Sequence, residues 1–126
     1  MNRLLHWLPA LFWAATIFVL SSQSSLPQVG PDIPYLDKIQ HASVYALLGL
    51  CIVHPLCRVH RLSLPVAVLL GLSLASAYGA SDEWHQRFVP NRSCDVWDWT
   101  ADTVGAAVAI TAYCLHESRR RQQTHR

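Results

Sequence analysis

Four apolar runs constrain this chain more than any other feature: Leu4 to Leu20, Asp37 to Leu56, Leu62 to Ala80 and Val96 to Leu115. With its flanks, each approaches the roughly 20 residues that a helix needs to cross a hydrocarbon core of about 30 Å. Inside lipid a backbone must satisfy its own hydrogen bonds, so such runs become helices. The composition agrees, with 52% apolar and only 14% charged residues, against roughly 25% charged in an ordinary soluble domain. The expected fold is an all-α membrane protein, one domain over residues 1–126, with four transmembrane helices.

The first run carries His6 and Pro9 in its opening turns, where they cost least. A cleaved signal peptide is the competing reading, with Arg3 as its basic end and Ser21-Ser22 as a small-residue site. The run is long for that role, and no AxA-like site follows closely. Residues 21–36 read as a surface loop, punctuated by Pro27, Gly30, Pro31 and Pro34. In the third run Gly71, Ala75 and Gly79 recur every four residues, as do Ala101, Gly105 and Ala109 in the fourth. Such stripes let helix backbones approach closely. Residues 117–126 form a basic tail, expected to be mobile. The four cysteines show no CxxC spacing and are expected to be free.

Charge sets the orientation. With four spans, Arg3, Arg58, Arg61, Arg119, Arg120, Arg121 and Arg126 fall on the side of the termini, whereas Lys38, Arg87 and Arg92 fall on the other. Basic residues gather in cytoplasmic loops, so both termini are expected in the cytoplasm. Seven of the eight acidic residues then belong to the outer half, and Trp84, Trp97 and Trp99 fit an outer aromatic belt. No uniform basic face suggests nucleic acid as a partner.

The dense polar stretch is Ser81 to Trp99, between the third and fourth runs. Pro90-Asn91 reads as a turn and Ser93 as the cap of the last helix. Asp98 and Asp102 follow one turn apart and point into the membrane zone. In the second run Asp37, His41 and Tyr45 share one face. Ionisable groups at such depth pair, line wet cavities or serve function. One outcome is an ion-pair network pinning the outer helix ends. Three chemical readings also fit: Glu83, Asp98 or Asp102 as general base with His41 or His85; a divalent metal on His41, His85 and a carboxylate, at a spacing that matches no zinc motif; or Arg87 and Arg92 gripping an anionic headgroup. No GxSxG, P-loop or SxxK pattern is present.

Asp37-Lys38-Ile39-Gln40-His41, the run Ser81-Asp82-Glu83-Trp84-His85-Gln86-Arg87-Phe88-Val89-Pro90-Asn91-Arg92, and Asp95-Val96-Trp97-Asp98 leading on to Asp102 and Gly105 occur in order. Together, over residues 37–105, they resemble the VanZ-like family of bacterial membrane proteins. Members commonly carry Asn at the position of Asp102 and Gly at that of Asn91. The resemblance implies a small multi-pass protein of the bacterial cytoplasmic (inner) membrane, and the family's name comes from a member associated with resistance to the glycopeptide teicoplanin. The candidate catalytic residues are Glu83, His41 and Asp98. The candidate ligand-binding residues are Asp37, Tyr45, Asp82, Gln86, Arg87, Arg92 and Asp102. No metal or cofactor is assigned. The expected partners are membrane lipids and a lipid-linked envelope precursor; a small transporter and an accessory membrane subunit are the alternatives.

Overall fold

The computed structural model describes residues 3–25 and 33–124. It contains four α-helices and, among the described residues, no strand: α1 (Leu8–Ser21), α2 (Leu36–Arg58), α3 (Leu64–Gln86) and α4 (Val96–Thr124). A 3-10 turn over Arg3–Trp7 leads into α1, whose second residue is Pro9. Proline is tolerated there because the first turn's N–H groups have no helical partner. Of the expected loop, Pro27, Gly30, Pro31 and Asp32 lie outside the described residues.

The helices alternate in direction. Trp7 Nε1 donates to His60 Nε2 at 3.0 Å, Trp13 Nε1 to the Val44 carbonyl at 2.9 Å, and the Tyr78 hydroxyl to the Ala14 carbonyl. These bonds fix α1 alongside α2 and α3. One end of the bundle therefore gathers the ends of α1 and α3 with the starts of α2 and α4. The opposite end holds Arg58 and the C-terminal part of α4.

The core lies between α2, α3 and α4, where Val53, Ala67, Ala75, Ala106 and Ile110 are wholly buried. Outward, large apolar side chains are left uncovered: Leu11 and Phe12 on α1, Leu50 on α2, Leu69 and Leu74 on α3, and Val104 and Val108 on α4. A soluble monomer rarely exposes so much contiguous apolar surface. Arg3–Ser21, Leu36–Arg58 and Leu64–Gln86 are long and apolar enough to cross a membrane. At 23 residues each, α2 and α3 reach about 35 Å at 1.5 Å per residue. α4 is longer, with 29 residues, but Asp98, Asp102, Glu117 and three consecutive arginines dilute its apolar content.

The small-residue stripes pack in an unexpected register. On α3, Gly71, Ala75 and Gly79 are buried as read. On α4 the buried face runs through Asp102, Gly105, Ala106, Ile110, Cys114 and Glu117, while Ala101 and Ala109 are only half-buried. Gly105 meets the backbone of Ala42, so closely that a Cβ there would lie 2.0 Å from the Ala42 carbonyl oxygen. A Cβ on Gly49 of α2 would lie 3.2 Å from the Ala106 backbone. The closest helix pair is thus α2 with α4.

Two terminal features differ from expectation. Residues 117–126, read as a mobile basic tail, continue α4 as far as Thr124. Glu117, 2% exposed, receives Arg58 Nε at 3.0 Å, Arg120 Nη2 at 3.1 Å and Arg121 Nε at 3.3 Å. These bonds tie the helix to the end of α2, and Arg121 also donates to the Cys57 carbonyl. The hydrogen bond from Arg120, ahead of the other two arginines, holds the Glu117 carboxyl below the usual carboxylate range. Asp95, not Ser93, caps α4: its Oδ1 accepts the Trp97 N–H at 2.9 Å. Asp95 wins because Lys38 and Glu83 already fix it in place. Asn91 turns the chain before it at φ 62°, a left-handed conformation open to Gly and tolerated by Asn. All four cysteines are free.

Candidate functional site

The first turns of α2 and α4 and the last turn of α3 converge on one cluster. Lys38 is at its rim, with Nζ 2.6 Å from Asp98, 2.8 Å from Asp95 and 3.1 Å from Asp37. One ammonium thereby joins the start of α2 to the start of α4. The hydrogen bond from Lys38 holds the Asp95 carboxyl below its usual range. One turn further along α2, His41 lies between two carboxylates of α4. Its Nδ1 is 2.9 Å from Asp102 Oδ1 and its Nε2 is 3.8 Å from Asp98 Oδ1. The four-residue spacing of Asp98 and Asp102 aims both at one imidazole.

Glu83, on α3, is 3% exposed and closes the third wall. Its Oε2 accepts the Asp95 N–H at 2.9 Å, so it also fixes the entry into α4. Ligand atoms of His41, Glu83 and Asp102 all lie within 4.8 Å of one another. Asp102 is completely buried, yet its Oδ2 has no hydrogen-bond partner, and neither has the buried Tyr45 hydroxyl. Asp102 Oδ2 and the Tyr45 ring line the space over Gly79, where a Cβ would meet each at 3.3 Å. Glycine at 79 is what leaves room for them.

The remaining candidates divide. Asp82 faces α1, where the Ser21 hydroxyl donates to it at 2.6 Å. Gln86 bonds Asp82 at 3.2 Å and accepts from Arg92 Nη2 at 2.9 Å, linking the α3–α4 turn to the helix end. These three brace the cluster's outer wall. Asp37 is 62% exposed and touches the cluster only through Lys38. Arg87 stands away from it, exposed, with its guanidinium 4.6 Å above the Trp84 ring. Arg87 and Arg92 thus have different partners, Trp84 and Gln86. His85 is also separated from His41: it bonds the Ser22 hydroxyl at 3.0 Å and stacks on Phe18 of α1. A shared site of His41 and His85 is not assembled.

Lys38, a position of the motif that carries the resemblance, holds the rim. One contributor escaped the sequence reading. Ser21 looked like the start of a loop; it is buried at the end of α1 and partners Asp82. Nothing local signals its role, since the partner is 61 positions away.

In chemical terms, the cluster offers an imidazole held between two carboxylates beside a third buried carboxylate. That arrangement can relay a proton or hold a cation. Neither the curated proteins nor the solved structures provide a match to this chain. A family model does: VanZ/LLP1 matches residues 4–117, nearly the whole chain, which therefore belongs to the VanZ/LLP1 family.

Proposed function

We propose that this VanZ-family membrane protein crosses the bacterial cytoplasmic membrane four times and binds, or acts on, a lipid-linked or cell-envelope ligand at the outer leaflet. The observation that carries the reading is the cluster of half-buried His41 with buried Asp102 and Glu83 at one end of the bundle, one helical turn below a charged rim. Ionisable groups at such a depth are expensive and accompany function by default. The arginine-rich opposite end supports cytoplasmic termini by the positive-inside rule. Exposed Trp84 and Trp97 at the acidic end suit an interfacial belt. α4 crosses as the fourth span because its acids face α2 and α3, while Val104 and Val108 face outward.

The founding name of the family makes glycopeptide susceptibility, teicoplanin first, the phenotype to assay. Glu83→Gln, Asp98→Asn and His41→Gln, at unchanged membrane levels, should abolish a teicoplanin phenotype or the copurification of an envelope lipid. Retention of both would refute the reading. A purely structural cluster would instead lower the amount of folded protein, and the hydrogen bond from Ser21 to Asp82 gives that second reading a footing at one residue. A reporter fused after Arg126 should be active only in the cytoplasm; activity outside would invert the topology.

A further inference from the structure

We propose that His41, Glu83 and Asp102 form a binding site for a divalent metal ion of the zinc class, with Asp98 positioning the imidazole. The donor set is one imidazole nitrogen and two carboxylate oxygens, on α2, α3 and α4 respectively. Their ligand atoms lie within 4.8 Å of one another. Zinc-class bonds of about 2.0–2.2 Å in a tetrahedral site put ligand atoms roughly 3.4 Å apart. Small rotations of the Glu83 side chain, the longest of the three, supply the remaining closure.

Two independent observations point to a cation. The first is charge. Lys38 is engaged by Asp37, Asp95 and Asp98 at the rim. Arg92 is engaged by Gln86. Among the described residues, no lysine or arginine forms an ion pair with Glu83 or Asp102, and His41 is the group paired with Asp102. The inner cluster thus holds more carboxylates than permanent cations can balance. Buried charges are normally paired or bound to metal.

The second observation is the pair of unpartnered polar atoms. Asp102 Oδ2 and the Tyr45 hydroxyl are buried without a hydrogen-bond partner, and Asp102 Oδ2 lies with the Tyr45 ring over Gly79. Leaving such atoms unsatisfied costs about 1–3 kcal/mol each. A carboxylate that ligates through one oxygen leaves the other to accept from a tyrosine hydroxyl.

The surroundings suit a ligating histidine. With Nδ1 toward the ion, the His41 Nε2–H faces Asp98 Oδ1 at 3.8 Å. Carboxylates in that place orient metal-bound imidazoles. Asp98 is itself fixed by Lys38 at 2.6 Å.

The test uses the full, tag-free chain in detergent with cobalt(II) alone, and zinc as competitor. One equivalent should bind, with visible absorption that zinc abolishes. His41→Gln, Glu83→Gln and Asp102→Asn should each weaken binding at least about 100-fold. Asp98→Asn, acting through His41, should weaken it about 10–100-fold. His54→Gln, at the opposite end of the bundle, should bind like the unaltered chain. Glu83→Gln preserves side-chain shape and the acceptor for the Asp95 N–H, so it remains informative if another variant fails to fold. Absence of stoichiometric binding, or binding unchanged in Glu83→Gln, overturns the site. The inference does not rest on the envelope ligand: a chain that binds an envelope lipid but no cobalt or zinc refutes the metal site alone.

Discussion

Replacing Gly105 by alanine tests the α2–α4 packing directly. The added Cβ would lie 2.0 Å from the Ala42 carbonyl oxygen, 2.6 Å from its carbon and 2.7 Å from its Cα. All three are backbone atoms, so no side-chain rotation relieves the overlap. Ordinary contact begins near 3.4 Å, so the helices must part by about 1.4 Å at this level or shift along one another. Overpacking of a tight interior costs typically 1–3 kcal/mol, and a backbone-on-backbone clash belongs at or above the top of that range. The same separation would carry His41 Nδ1 and Asp102 Oδ1, now 2.9 Å apart, beyond hydrogen-bonding reach. Gly71→Ala is the internal control. Its Cβ would meet only side-chain tips, Ile110 Cδ1 at 3.4 Å and Leu56 Cδ1 at 3.7 Å, and should change stability by less than about 1 kcal/mol. Reversible unfolding in mixed micelles, by titration with a denaturing detergent, measures both. Equal stability of the two variants would refute the close approach of α2 and α4.

Three further outcomes are expected. Glu117→Gln should destabilise the bundle by about 1–2 kcal/mol, below the roughly 3–5 kcal/mol of a fully buried pair because its arginines are partly hydrated. Since the Glu117 carboxyl is held below its unfolded value, its contribution is complete above that unfolded value and is lost as pH falls through the lowered one. The variant should therefore lose less stability on acidification, and an unchanged acid dependence of its melting temperature would contradict the ion pairs. Ser21→Ala should loosen α1 by removing a hydrogen bond to a carboxylate, worth about 1.5–3 kcal/mol; hydrogen exchange in α1 should rise roughly ten-fold or more while the middle of α3 is unchanged, and uniform exchange would count against it. Lys38→Met should return the Asp95 carboxyl toward its ordinary range, as followed by carbon NMR of that side chain during an acid titration. An unaltered Asp95 titration would show that Lys38 does not hold it.

The helical architecture was legible because lipid leaves a long apolar run no other backbone solution. α2 and α3 end within a few residues of the second run and the third, apart from the turn of α3 that carries Asp82, Glu83 and Gln86. That extra turn was read as loop because its side chains are polar. Apolarity marks where a helix meets lipid or core, not where helical hydrogen bonding stops. The same reason hid the last turns of α4, where Glu117, Arg120 and Arg121 stand at helical spacing and support one another. Much of the candidate site was also legible, since the spacings of His41 with Tyr45 and of Asp98 with Asp102 fix shared helical faces. That Arg87 lies over Trp84 and His85 meets Ser22 and Phe18 of α1 was not legible, because sequence proximity to Glu83 says nothing about direction around the helix.

The sequence by itself determined the class of protein: apolar runs of spanning length, small residues at four-residue spacing, and one polar stretch too costly to be incidental. Periodicity within a helix is local, so a sequence carries it. Which helix each face meets is not local. Only the tertiary structure decided that Gly105 lies on Ala42, that Ser21 reaches Asp82, and that His41 of α2 and Glu83 of α3 close on Asp102 of α4. Those pairings depend on how three helices share one interior, where close packing admits a single register. They turn scattered carboxylates into one buried cluster.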